Sequence, residues 1–113
     1  MEAIIRNQEN IELTKHPKHR DVYMKILTNN SETGRLSASI VSIRPGGEIL
    51  PHTHEVIEVF YIMKGIGSAL VNGVRMKAEA GTIIIAPAGN EHGMINEGQE
   101  DLELYCVFSP GVV

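Results

Sequence analysis

Residues Gly46 to Gly65 read GGEILPHTHEVIEVFYIMKG. Two histidines stand two residues apart, His52 and His54, and a carboxylate follows at Glu58. All three share parity, so an extended chain would turn them to one face. A straight strand would also hold the Cα atoms of residues 52 and 58 about 20 Å apart. Donor atoms around one first-row ion lie only about 3–4 Å from one another, given metal–ligand bonds near 2.1 Å. The chain must therefore bend after His54. Glu55, Val56 and Ile57 are expected to carry it over, so that Glu58 returns on a neighbouring strand.

Working outward, residues Gly81 to Asn96 read GTIIIAPAGNEHGMIN and add one more imidazole, His92. Pro87 fixes one φ and Gly89 is free to take a positive one, which makes a turn ahead of His92. His52, His54, Glu58 and His92 are thus a candidate ligand set for one divalent transition metal. Three imidazoles and a carboxylate without a thiolate suit Fe, Mn, Ni, Co, Cu or Zn. A closed structural zinc site would more often use cysteine. Around an octahedral ion these four groups leave two positions open for substrate, water or dioxygen.

The rest of the chain reads as short strands between turns. Residues 3–5 and 11–14 are candidate strands, and KHPKHR at 15–20 is a proline-broken basic loop. Its His16 and His19 read as solvated loop residues, because a Lys/Arg-rich neighbourhood repels a cation. Residues 21–27 and 36–43 have strand character, with a turn at 29–34 between them and Arg-Pro-Gly-Gly at 44–47 expected to end the second. Asn72-Gly73 is a type I′ hairpin signal between 66–71 and 74–77. Further strands are expected over 82–86, 92–95 and 102–108. No sustained 3.6-residue period is present, so no helix longer than about two turns is expected. Strands this regularly spaced predict an all-β sandwich or barrel.

Composition agrees with one domain over residues 1–113, with residues 1–35 as its N-terminal strands and loop. A chain of 113 residues carrying 42% hydrophobic and 21% charged side chains is ordinary globular material. A net charge of −4 argues against a nucleic-acid partner. No apolar run is long enough to span a membrane, and no secretory signal is visible. One cysteine, Cys106, forms no intrachain disulfide and fits a reducing, cytoplasmic setting.

The two stretches resemble the paired motifs of the cupin superfamily. The first pattern is met by Gly46, His52, His54, Glu58 and Gly65, and the second by Gly81, Pro87, Gly89, His92 and Asn96. Only residues 66–80 separate the two motifs, close to the family's shortest spacing. The resemblance implies a double-stranded β-helix of the jelly-roll type with His52, His54, Glu58 and His92 as metal ligands. It leaves the reaction open, since cupins include dioxygenases, isomerases, lyases, cyclases, storage proteins and sugar-sensing domains.

Around the ligands, Phe60 and Ile62 share parity with Glu58 and are expected to line the cavity. Met94 and Asn96 share parity with His92 and are expected along the same interior, Met94 as a flexible filler and Asn96 securing the turn. Glu48 and Glu55 are alternative carboxylates, Glu48 towards the cavity mouth and Glu55 towards solvent. Cys106 reads as a small buried hydrophobe, and no catalytic residue is selected among Tyr23, Tyr61 and Tyr105. The reading leans to an enzyme acting on a small organic molecule by dioxygenase-type oxidative chemistry, because few acid/base residues accompany the ligands. The alternatives are a non-redox isomerase, lyase or cyclase using the metal as a Lewis acid, or a non-catalytic small-ligand binder.

The strand after the first motif also predicts assembly. If Glu58, Phe60 and Ile62 face inward, the outer face carries Ile57, Val59, Tyr61 and Met63, which is equally apolar. A homodimer packed through this face would cover it, burial of the four side chains contributing about 6–10 kcal/mol before association costs.

Overall fold

A computed structural model describes residues 2–113. Nine strands form one curled antiparallel sheet. They are β1 (Thr14–Lys15), β2 (Arg20–Thr28), β3 (Ser37–His52), β4 (Ile57–Lys64), β5 (Ile66–Val71), β6 (Val74–Glu79), β7 (Ile83–Ala86), β8 (His92–Asn96) and β9 (Leu102–Ser109). The main strand order is β6-β5-β8-β3-β9-β4-β7, with β1 and β2 added beside β3. The molecule is the all-β double-stranded β-helix expected, and its helical content is slight. A 3₁₀ turn spans Gln8–Asn10, and one turn of helix, α1 (Asn30–Thr33), is capped by the Asn29 side chain and by Gly34.

The long strand β3 organises the barrel. Its first half pairs with β9, from Ser37↔Phe108 to Ile43↔Leu102, and its second half with β8, from Glu48↔Ile95 to His52↔His92. β2 follows β3 through both halves. Arg-Pro-Gly-Gly was expected to end the strand, but it bends it instead. Gly46 takes a φ of 77°, a left-handed backbone that redirects the chain from one wall to the other without stopping it. Pro45 falls in this unpaired corner, where its missing N–H costs nothing. Asn72 and Gly73 both have positive φ, as a type I′ turn requires.

The N-terminal strands expected at 3–5 and 11–14 are absent apart from the Thr14↔Met24 pairing. Residues 3–5 pair with no strand. Instead Arg6 donates to the Leu27 carbonyl at 3.0 Å and pairs with Glu32, drawing the segment across the outside of the sheet. The core lies within the curl and is aliphatic: Ile43, Ile62, Leu102 and Leu104 are fully buried, with Val22, Met94 and Ile84 beside them.

Candidate metal centre

Four elements deliver the ligand set. His52 ends β3, His54 sits in the following loop, Glu58 is second in β4 and His92 opens β8. Glu58 does not come from a strand adjacent to β3: β9 lies between β3 and β4. The carboxylate therefore reaches the cluster from the far side of the curl. His52 and His92 are direct cross-strand partners, brought together by a register shift between Ile49 and His52. Gly93 makes that approach tolerable, since a Cβ there would stand 2.8 Å from the Ile49 carbonyl oxygen. The Pro-x-Gly turn holds the other loop, because the Gly89 N–H donates to the His54 carbonyl at 2.8 Å.

The four side chains converge, each offering one donor atom within 4.8 Å of the others. His52 Nε2 lies 2.9 Å from His54 Nε2, and His92 Nε2 lies 2.6 Å from Glu58 Oε1. Glu58 and His92 are buried, while His52 and His54 are half-buried on the open side.

Backbone carbonyls decide what these rings present. His52 Nδ1 donates to the Leu50 carbonyl at 2.7 Å, and His92 Nδ1 donates to the Asn90 carbonyl at 3.1 Å. In the neutral ring each therefore turns an Nε2 lone pair into the cluster. A lone pair 2.6 Å from a carboxylate oxygen needs a shared cation between them. This donor set fits a divalent ion, and the Nδ1–carbonyl bonds are of the kind that would hold metal-bound imidazoles in place. Without a metal, a proton takes that role. Burial disfavours the charged His92 ring, but hydrogen bonds to Glu58 and the Asn90 carbonyl, with the Glu58 charge, outweigh it and raise its pKa. His54 is shifted the other way, chiefly by burial and then by His52.

The cluster opens onto a cavity of about 660 Å³. Its walls are mainly apolar, including Val22, Met24, Val41, Ile49, Leu104 and Phe108. Of the side chains expected inside, Phe60 and Met94 line it. Ile62 and Asn96 do not: Ile62 is wholly buried in the core, and Asn96 ties backbone together. The Asn96 amide donates to the carbonyls of Ile43 and Glu100 at 2.8 and 2.7 Å and accepts from the Gly98 N–H, so it locks the turn.

Glu48 pairs with Arg20 at 3.1 Å and stands outside the cavity lining, and Glu55 is exposed. Tyr23 stacks under the Arg44 guanidinium, while Tyr61 and Tyr105 lie on the outer surface. Cys106 is buried as expected but also lines the cavity, and burial followed by the Glu58 charge raises its thiol pKa.

His16 and His19 are the residues that sequence reasoning misplaced. Both line the cavity with Lys18, and the His19 ring centroid lies 5.1 Å from that of His52. The loop 16–19 sits there because β2 pairs with β3 as far as Arg20↔Glu48, which carries it alongside Leu50–His52. Two histidines bracketing Pro-Lys are the one local signal. That register over nearly thirty residues has no trace in the loop itself.

The family model of the cupin domain matches residues 39–108. An oxalate-binding protein of Thermotoga maritima is 32% identical over 68 residues, covering 59% of this chain and 56% of that protein. The chain thus spans little more than half the length of that curated relative. Among solved structures, a predicted oxalate decarboxylase of Thermotoga maritima superposes with a TM-score of 0.87 at 22% identity, over 95% of this chain and 99% of that one. The polyketide cyclase RemF of Streptomyces resistomycificus superposes with a TM-score of 0.84 at 17% identity, over 96% and 80%. At those identities the structural likeness speaks for the fold alone. The family model spans more than half of the chain and encloses most of both walls of the barrel, and by that match the chain belongs to the cupin family.

Proposed function

We propose that this chain binds one divalent transition metal through His52, His54, Glu58 and His92 and is an enzyme acting on a small organic molecule that chelates the ion. The carrying observation is the convergence of two backbone-fixed imidazoles, His52 and His92, with His54 and the buried Glu58 at the wall of an apolar cavity, the His92 Nε2 lying 2.6 Å from the carboxylate. Four protein donors would leave coordination positions open towards that cavity, whose mainly apolar walls suit an apolar substrate body. The ion would supply Lewis acidity and, as Fe or Mn, redox capacity. Dioxygenase-type chemistry on an enol or diketone is the preferred reaction, because among the described residues no carboxylate side chain besides Glu58 and no tyrosine lines the cavity. The Thermotoga oxalate-binding protein adds oxalate as a chelating ligand worth testing.

A second reading is favoured by His16 and His19: imidazoles beside the cluster suit a non-redox isomerase or cyclase that moves a proton. Turnover of a panel of chelating enols and diketones by Fe(II)-loaded protein, with and without oxygen, separates the two. The oxidative reading expects oxygen uptake matched to substrate loss and none in His92→Ala. Equal turnover under nitrogen transfers the assignment to the non-redox reading, and no turnover in either gas contradicts an enzyme acting on this class.

A further inference from the structure

We infer that loop residues His16, Lys18 and His19 form an anion-receiving lip on the metal cavity, so that a ligand presents carboxylate oxygens to the loop in addition to those that reach the metal cluster. This rests on the metal reading proposed above.

The two sets of imidazoles are held in opposite tautomers. His52 and His92 donate from Nδ1 to carbonyls and turn lone pairs inward. In the loop, the Leu50 N–H donates to His19 Nδ1 at 3.0 Å, and the Lys18 N–H donates to His16 Nδ1 at 3.2 Å. A backbone N–H can only donate, so Nδ1 of each loop ring is an acceptor and its proton sits on Nε2. Neither Nε2–H is hydrogen-bonded to another described residue. The cavity therefore has lone pairs at its metal end and donors at its lip.

The rings also lie against one another, each tilted to the next. His16 and His19 have centroids 4.3 Å apart, and His19 follows onto His52. Lys18 adds a positive charge to the lining, and among the described residues Glu58 is the sole carboxylate side chain there. A divalent ion with Glu58 leaves one positive charge and Lys18 makes two, which a dianionic chelator neutralises. Hydrogen bonds to a charged partner are the strong ones, so a carboxylate gains most from these donors.

The test compares two small chelators on zinc-loaded protein by calorimetry. Oxalate has two carboxylates; maltol chelates through two oxygens with a single negative charge and no carboxylate. His19→Phe keeps an aromatic ring and removes the donor, and His19→Gln restores an amide donor. The lip predicts that His19→Phe weakens oxalate about tenfold or more, leaves maltol and zinc stoichiometry unchanged, and that His19→Gln recovers much of the loss. Equal weakening of both chelators, or unchanged oxalate affinity, overturns it.

Imidazole ¹⁵N spectra of the wild-type protein provide a readout that depends on no variant folding. They should show His19 protonated at Nε2, with that signal moving on oxalate addition. Wild-type protein that takes up no zinc defeats the metal reading alone. The lip is then decided on metal-free protein by the same spectra, and an unmoved His19 signal overturns it.

Discussion

At the scale of single residues, chemistry is set by which side of each imidazole the backbone occupies. The four converging side chains could be named from spacing, because parity, the forced bend after His54 and the two motifs all point to them. Their tautomers could not, since these depend on the Leu50 and Asn90 carbonyls being within reach. Two predictions belong here. The raised pKa of His92 means that the metal-free pair with Glu58 keeps its proton above the ordinary imidazole value of 6.5. An incoming ion must displace that proton, so affinity should fall as pH falls, by about tenfold per unit below the raised pKa. Competition titrations across that range check it, and a flat profile counts against His92 as a ligand. Glu58→Gln removes the negative charge while keeping the shape, so Mn(II) or Fe(II) should bind about 10- to 100-fold more weakly. Unchanged affinity in that variant would show that the carboxylate is not a ligand.

At the scale of elements, strands and hairpins were legible where turn chemistry is local, as at Asn72-Gly73. The fate of Arg-Pro-Gly-Gly was not. Pro and Gly together signal a stop, but here β2, β8 and β9 pair on either side of the corner and keep β3 continuous. Isoleucines at 4 and 5 suggest a strand, yet Ile5 is 95% exposed, and the segment is held by Arg6 to Leu27 and Glu32 and pairs with no strand. The β3–β8 junction is the element on which the site depends. Gly93→Ala would place a Cβ 2.8 Å from the Ile49 oxygen and 3.2 Å from the Pro51 nitrogen. Both are backbone atoms and cannot step aside, so the variant should lose about 1–3 kcal/mol in denaturant unfolding. It should also bind metal more weakly, because His52 and His92 are paired across that junction. Wild-type stability together with wild-type metal affinity would contradict this role.

At the scale of the whole molecule, the outer face of β4 and β7 is apolar and open. Ile57, Tyr61 and Met63 are each about 40% exposed, and Ile83 and Ile85 beside them more so. The N-terminal segment lies elsewhere, near Leu27, Ala38 and Tyr105, and leaves these side chains uncovered. We propose that a second copy covers them, two-fold pairing being the commonest closed solution. Light scattering should give twice the 12.4 kDa chain mass, reduced to one chain in Ile85→Glu; a wild-type monomer refutes the pairing. The number of ions the whole molecule carries tests the central claim most directly. Native mass spectrometry of protein purified without a polyhistidine tag or added metal should find one divalent transition-metal ion per chain. The His54→Ala/His92→Ala double variant should retain the β-rich circular dichroism of the wild type and carry none. A wild-type protein without metal, or a folded double variant with its full complement, would contradict it.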